Sequence, residues 1–245
     1  MRQPKQTHPI LTLGHSVTPQ LPRLFRVCCW NWHKCKHKNW LRDFSALSQQ
    51  TDLFLAQEVS LSAPARRALR NSPLQWHTAV SFLSARNHLP IGVAIGSCAA
   101  PLEITAHAPT LEPLISIAKM MLCADIAIAD TRLRVLNVHA VNFTGIKPFE
   151  LTLQHIHRLL ADFPGPVLLA GDFNAWNKKR TQALQQTARQ LQLQEVNFDP
   201  DLRSRYLNHP VDFLFTRGLD LVHADVQPFH SSDHAALTAT LQLCS

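Results

Sequence analysis

A chain of 245 residues with 24 Lys and Arg against 17 Asp and Glu carries a formal charge of 24 − 17 = +7, so its folded surface should attract polyanions: nucleic acid, anionic headgroups or phosphorylated small molecules. No apolar run approaches the roughly 20 residues of a membrane span, and Ile10-Leu11-Thr12-Leu13, the one apolar run near the N-terminus, is too short for a secretory core. The six cysteines form no Cys-x-x-Cys pair and no zinc-finger spacing, which argues against a disulfide scaffold or a zinc module and predicts a reduced, cytoplasmic protein, taken as a monomer.

Residues 1–24 carry Pro4, Pro9, Pro19 and Pro22 with little periodicity and read as an extended arm without chemistry. From residue 25 onward, strand-like and helix-like stretches alternate without a linker or repeat, which predicts one α/β domain over residues 25–245. The first strand, Phe25-Arg26-Val27-Cys28-Cys29-Trp30, ends at Asn31. A basic loop follows, Trp32-His33-Lys34-Cys35-Lys36-His37-Lys38, and Asn39 is placed to cap a helix with Trp40, Leu41, Phe44 and Leu47 inward. Flanking lysines would lower the Cys35 thiol pKa, although a lone thiol of this kind reads as a bystander. Asp52-Leu53-Phe54-Leu55-Ala56-Gln57-Glu58 is a second apolar strand ending in a carboxylate. After a short helix through Arg66–Arg70, strands at residues 76–83, 91–95, 102–106 and 120–129 are punctuated by Pro90, Gly96, Pro101 and Pro109, a pattern of antiparallel hairpins.

Leu133–His139 is a further strand with a polar end, followed by Ala140-Val141-Asn142-Phe143. Pro148 opens a helix with Leu153, Ile156, Leu160 and Phe163 on one face, and Gly165-Pro166 stops it. Val167-Leu168-Leu169-Ala170 then runs straight into Gly171-Asp172-Phe173-Asn174. Beyond Trp176, a helix turns Thr181, Leu184, Ala188 and Leu191 inward; Val211–Phe215 is an apolar strand holding Asp212; and Ser231-Ser232-Asp233-His234 precedes a last strand.

Five strand-like stretches thus deliver Asn31, Glu58, His139, Asp172 with Asn174, and Asp233 with His234 at or beside their ends, where catalytic groups gather on a rigid frame. Three acids, two amides and two imidazoles, with no suitably placed Cys, suit Mg²⁺ or Mn²⁺ better than zinc. Imidazoles beside such an ion donate protons or hydrogen bonds to the charge on a pentacoordinate phosphorus. Asp212 is costly to bury alone among apolar neighbours, and His234 is its natural partner. That pairing fixes the imidazole's tautomer and favours the imidazolium.

Trp30-Asn31, Gln57-Glu58, Asn137-x-His139, Gly171-Asp172-Phe173-Asn174, Asp212-Phe213 and Ser232-Asp233-His234, in this order, resemble the endonuclease/exonuclease/phosphatase (DNase I-like) superfamily over residues 25–243. His139–Phe143, Gly171–Trp176 and Phe215-x-Arg217-Gly218-Leu219 resemble a bacterial branch of it with unassigned substrate. The resemblance implies a four-layered α/β sandwich, two mixed and mostly antiparallel sheets face to face with helices outside. It implies that Glu58 holds the divalent ion with Asn31 and Asp233 nearby, and that Asp172 and Asn174 position or activate the attacking water, Asp172 being the favoured base. His139 would contact the scissile phosphate, and His234, oriented by Asp212, would stabilise the transition state or assist the leaving group.

Lys34 and Lys36 precede one helix start and Lys178-Lys179-Arg180 open another, where cations oppose the helix dipole by a few tenths to about 1 kcal/mol. Either phosphate occupies those places or the lysines are solvated. Asn142 joins these as a substrate contact; Trp32, Trp176 and His37 could stack on a base or form the loops' own core. The leading expectation is a Mg²⁺-dependent nuclease. The alternatives are the same chemistry on a phosphoinositide, sphingolipid or soluble phosphate ester, and a non-catalytic polyanion-binding module.

Overall fold

The computed structural model describes residues 9–112 and 117–244; the first eight residues of the expected arm lie outside them. In chain order the strands are β1 (Ile10–Leu13), β2 (Leu24–Asn31), β3 (Leu53–Ser60), β4 (Gln75–Leu83), β5 (Pro90–Ser97), β6 (Pro101–Glu112), β7 (Ile117–Ile128), β8 (Thr131–His139), β9 (Val167–Asp172), β10 (Gln194–Glu195), β11 (Arg205–Tyr206), β12 (His209–Pro210), β13 (Asp212–Arg217), β14 (Leu219–Gln227) and β15 (Ala236–Leu243). The helices are α1 (Trp40–Ser48), α2 (Ala63–Asn71), α3 (Ile146–Leu160) and α4 (Lys178–Gln190). One sheet has seven strands in the order β1-β4-β5-β3-β2-β15-β14, a second has six in the order β10-β13-β9-β8-β7-β6, and β11-β12 form a separate hairpin. Pairing is antiparallel except for β2–β3 and β8–β9, each the product of a strand–helix–strand crossover, through α1 and α3. Among the described residues, no helix is long and apolar enough to cross a membrane.

Side-chain alternation decides what each face carries. On β8, Leu133 and Val135 enter the core between the sheets, while Leu136 and Val138 face the cluster built by α3 and α4 around Phe149, Ile156 and Leu184. Continuing the first parity gives Asn137 and His139. On β9 the inter-sheet residues Leu168 and Ala170 lead to Asp172, and on β13 Leu214 lies two residues from Asp212. Polar residues therefore follow the apolar core outward to one mouth of the space between the sheets. At its inner limit, Asn137 is fully buried and clips the sheets together. Its Nδ2 donates to the carbonyls of Ala56 (3.0 Å) and Ala94 (2.8 Å), and its Oδ1 accepts from Gln57 Nε2 (2.7 Å).

The C-terminal ends of β2 and β3 share one sheet edge, as do those of β8 and β9. The antiparallel neighbours β13 and β15 begin at those same edges, immediately at Asp212 and after His234. This is why residues so far apart in sequence meet.

Several local expectations change. Asn39 precedes α1 but makes no side-chain cap, and Leu41 is 44% exposed. Pro90 and Pro101 start strands, and Pro109 falls at a register irregularity of the edge strand β6, where a missing N–H is tolerated. Trp32 is fully buried, its ring 4.9–5.9 Å from those of Trp40, Phe44, Phe54 and Trp76, so it anchors the loop after β2 and offers no face to a base. The residues before β2 also pack onto the domain: β1 pairs with β4, and Leu21 is fully buried.

Candidate active site

Three neighbouring strands set their edge residues in one row. His139 is in register with Asp172, and Asp172 with Asp212. Carboxylates directly opposite on adjacent strands repel, and both of these are buried. His234 relieves the repulsion: its Nδ1 hydrogen bonds Asp212 Oδ2 at 2.7 Å and its Nε2 lies 3.8 Å from Asp172 Oδ2. Burial opposes the imidazolium, but the charges of Asp212 and then Asp172 outweigh it and hold the His234 pKa up at about 10, so the ring is a cation at neutral pH.

A raised folded pKa fixes the sign of a pH effect. In metal-free protein the stability contributed by His234 is complete below about pH 6.5, the value of the free ring, and is lost as pH rises through about 10. Urea denaturation in EDTA across that window should show wild type weakening towards pH 10. In Asp212→Asn this loss should come at lower pH; identical profiles would refute the pairing.

Asp172 is held on both oxygens. Oδ2 accepts from Asn31 Nδ2 across the sheets at 3.1 Å, and Oδ1 accepts from the Asn174 backbone N–H at 3.0 Å. Burial raises its pKa above the ordinary carboxylate range; His234 counters this, and Asp212 adds to it. Gly171 shapes the approach. Its φ is +148°, and a Cβ there would sit 1.9 Å from the Val138 carbonyl oxygen on the paired strand. Asn174 also has a positive φ, +50°, and its Nδ2 donates to the Ala140 carbonyl at 3.1 Å, tying the loops after β8 and β9.

His139 Nε2 lies 3.6 Å from Asp172 Oδ2 and 2.9 Å from Lys119 Nζ. An ammonium only donates, so Nε2 accepts and the neutral ring keeps its proton on Nδ1. Burial, then the charges of Lys119 and His234, push its pKa well below the ordinary value. Lys119 is buried and was missed in the sequence, where the strand was expected to begin one residue later, at Met120; a lysine heading an apolar run was the available signal.

Glu58 stands at a register shift of β3 against β5, with φ +51°, a conformation unusual for a residue with a side chain. Its Oε2 is 3.6 Å from Lys34 Nζ. Asp233 is mostly exposed, with Oδ1 3.4 Å from His33 Nδ1, and Asn31 Oδ1 accepts from the His33 backbone N–H at 3.0 Å. The turn at residues 33–35 therefore brings the Lys34 ammonium against Glu58 and the His33 ring, whose pKa burial lowers, against Asp233, and the oxygen donors of Glu58, Asn31 and Asp233 fit a hard divalent ion. A different trio, Asp172, Asp212 and His234, has ligand atoms all within 4.8 Å of one another. There a protonated ring already offsets one of the two carboxylate charges, so an ion would have to displace its proton.

Other expected contacts are distributed differently. Lys178 and Lys179 are exposed at the start of α4, which is capped by Asn177 Oδ1 accepting from the Arg180 N–H at 3.0 Å, and Lys36 is exposed with Nζ 3.2 Å from His33 Nε2. Arg180 is 1% exposed: its guanidinium donates to the carbonyls of Val141, Asn174 and Thr144 and stacks on Phe149 and Trp176, which makes it a brace and not a phosphate contact. Asn142 Oδ1 accepts from Trp176 Nε1 (3.1 Å) and the Phe143 N–H (2.8 Å). Burial drives the Cys35 thiol up to about 12, the reverse of what its flanking lysines suggested.

The fold of two facing sheets and a mouth lined by Asp, His and Asn define a class. A model of the endonuclease/exonuclease/phosphatase family matches residues 38–234, and the chain belongs to that family of phosphoric-ester hydrolases. More particularly, it is 38% identical over 240 residues to a UPF0294 protein of Yersinia pseudotuberculosis serotype O:1b, covering 97% of this chain and 90% of that protein. Among solved structures, the endonuclease/exonuclease/phosphatase of Beutenbergia cavernae matches with a TM-score of 0.72 at 16% identity, over 91% of this chain and 72% of that one. The endonuclease domain of TRAS1, a telomere-specific non-LTR retrotransposon, matches at 0.63 and 16% identity over 91% and 100%. Sphingomyelinase C from Streptomyces griseocarneus matches at 0.61 and 16% over 89% and 99%. These three likenesses are of fold.

Proposed function

We propose that this protein is a divalent-metal-dependent phosphodiesterase, a nuclease that hydrolyses the nucleic-acid backbone with an activated water. The observation that carries this reading is the buried Asp172, its pKa raised, held by Asn31 and Asn174 and flanked by neutral His139 and cationic His234. Mg²⁺ or Mn²⁺ bound by Glu58, Asn31 and Asp233 would supply polarisation of a phosphoryl oxygen and neutralise charge on it. Asp172 accepts the proton of the attacking water, whose position is set by Asn174 Oδ1. His139, with its proton on Nδ1, hydrogen bonds a non-bridging oxygen, backed by the charge of Lys119. His234 donates a proton to the departing oxygen, and Asp212 keeps its ring oriented.

The net charge of +7 and the exposed Lys178 and Lys179 support nucleic acid as the substrate. A hydrolysis panel tests this: single- and double-stranded DNA, RNA, bis-p-nitrophenyl phosphate and inositol phosphates, with and without EDTA. Metal-dependent cleavage of a nucleic acid is expected, falling by about a hundredfold or more in Glu58→Ala and His234→Ala. Unchanged rates in EDTA and in both variants would overturn the site. Cleavage confined to inositol phosphates would move the substrate, and inert but folded protein would leave a binding module. Reversing Lys178 and Lys179 to Glu should weaken DNA binding and flatten its dependence on salt by about two units of slope; an unaltered slope removes them from the substrate path.

A further inference from the structure

We infer that the aromatic cluster of Phe143, Trp176 and Tyr206 is a stacking subsite for an unpaired nucleobase adjoining the scissile phosphate, an inference that rests on the nuclease reading. The three rings come from the segments that carry the chemistry. Phe143 lies four residues after His139, Trp176 two after Asn174, and Tyr206 on the β11–β12 hairpin just before Asp212. Ring centroids are 5.9–6.4 Å apart, with Tyr206 edge-on to both of the others. Phe143 is 65% and Tyr206 47% exposed, so a contiguous aromatic face meets solvent on the rim.

The cluster is held in place. Asn142 Oδ1 accepts from both Trp176 Nε1 and the Phe143 N–H, and the buried Arg180 guanidinium lies 5.0 Å from the Trp176 ring centroid. The hairpin turns at Leu207 and Asn208 with φ of +47° and +65°, the signs of a tight two-residue turn. Its base is fixed to the catalytic pair, since Arg203 donates to the Asp212 carbonyl at 3.4 Å and the Ala235 N–H donates to Ser204 Oγ at 2.8 Å. A pre-set ring loses little freedom when a base settles on it.

Flat π-faces beside a cationic surface match a strand whose phosphates are anionic and whose bases offer π-faces of their own, whatever their identity. A base inside a duplex has both faces covered by its neighbours. The subsite therefore selects single-stranded or frayed substrate.

The test uses the full chain with Mg²⁺ in an Asp172→Asn background, so that bound substrate persists. Binding is measured for a single-stranded oligonucleotide, the corresponding duplex, inorganic polyphosphate, and vesicles of phosphatidylcholine with sphingomyelin. Phe143→Leu with Tyr206→Leu keeps apolar surface while removing the π-faces; Phe143→Ala with Tyr206→Ala removes both. Both double variants should bind the single strand about tenfold or more weakly and leave polyphosphate binding unchanged. Equal losses for polyphosphate would show a structural role, undiminished single-strand binding by the leucine variant would show no stacking, and vesicle binding lost in the alanine but not the leucine variant would show a lipid contact; each overturns the subsite. Wild-type residues at 143 and 206 with duplex binding as strong as single-strand binding would overturn it while leaving the nuclease reading intact. No nucleic-acid binding by any form would overturn both.

Discussion

Asp172→Asn is expected to lower turnover by about a thousandfold or more while leaving divalent-ion affinity within a few-fold of wild type. The amide retains a carbonyl oxygen for Asn31 Nδ2 or the Asn174 N–H, so the loops keep their anchor, but it cannot take a proton from water. One of the buried charges that raise the His234 pKa also disappears, which lowers that pKa while Asp212 still holds the ring. Steady-state kinetics and metal titration of the same protein read the two effects separately. Lost metal affinity equal to the lost turnover would place the ion on the Asp172, Asp212 and His234 trio instead of at Glu58.

Gly171→Ala should act on the fold. A β-carbon would meet the Val138 carbonyl oxygen at 1.9 Å, and the glycine's φ of +148° is closed to other residues. Backbone on both sides is locked by the parallel β8–β9 ladder and by β13, so neither partner can give way. A loss of about 3 kcal/mol or more is expected, large against the 5–15 kcal/mol that typically holds a domain. Urea unfolding monitored by tryptophan fluorescence would show it as a lower midpoint. An unshifted midpoint would mean that the strands do not approach as closely as described.

Much of this was legible in residues 25–31, 52–58, 133–139 and 167–174, because an apolar run that ends on one polar group announces both a buried strand and what lies at its end. Asp212 was legible for a related reason: an acid set among Val211, Phe213, Leu214 and Phe215 needs a partner. What the chain hid depends on three-dimensional company. β14 is an edge strand with residues 220–223 exposed, so it lacks the apolar signature of its neighbours. Arg180 looked like a phosphate contact because it follows two lysines, yet its carbonyl partners come from loops up to 39 residues away. Phe143 and Tyr206 are 63 residues apart and become a pair only when β8 and the hairpin before β13 reach the same rim. Lys119 sits opposite no motif residue in sequence, and its meaning comes from His139 Nε2.

β15 is the last strand in chain order among the described residues, yet it lies inside the seven-stranded sheet between β2 and β14, and His234 stands two residues before it. Asn31, contributed by β2, reaches Asp172 only when the two sheets have closed on each other. A chain carrying His139, Asp172 and Asp212 thus lacks the cation that offsets its paired acids until the segment bearing His234 has joined the sheet. The row of acids and its cation is therefore completed together with the sheet itself, and a chain in which β15 has not yet docked lacks the proposed site.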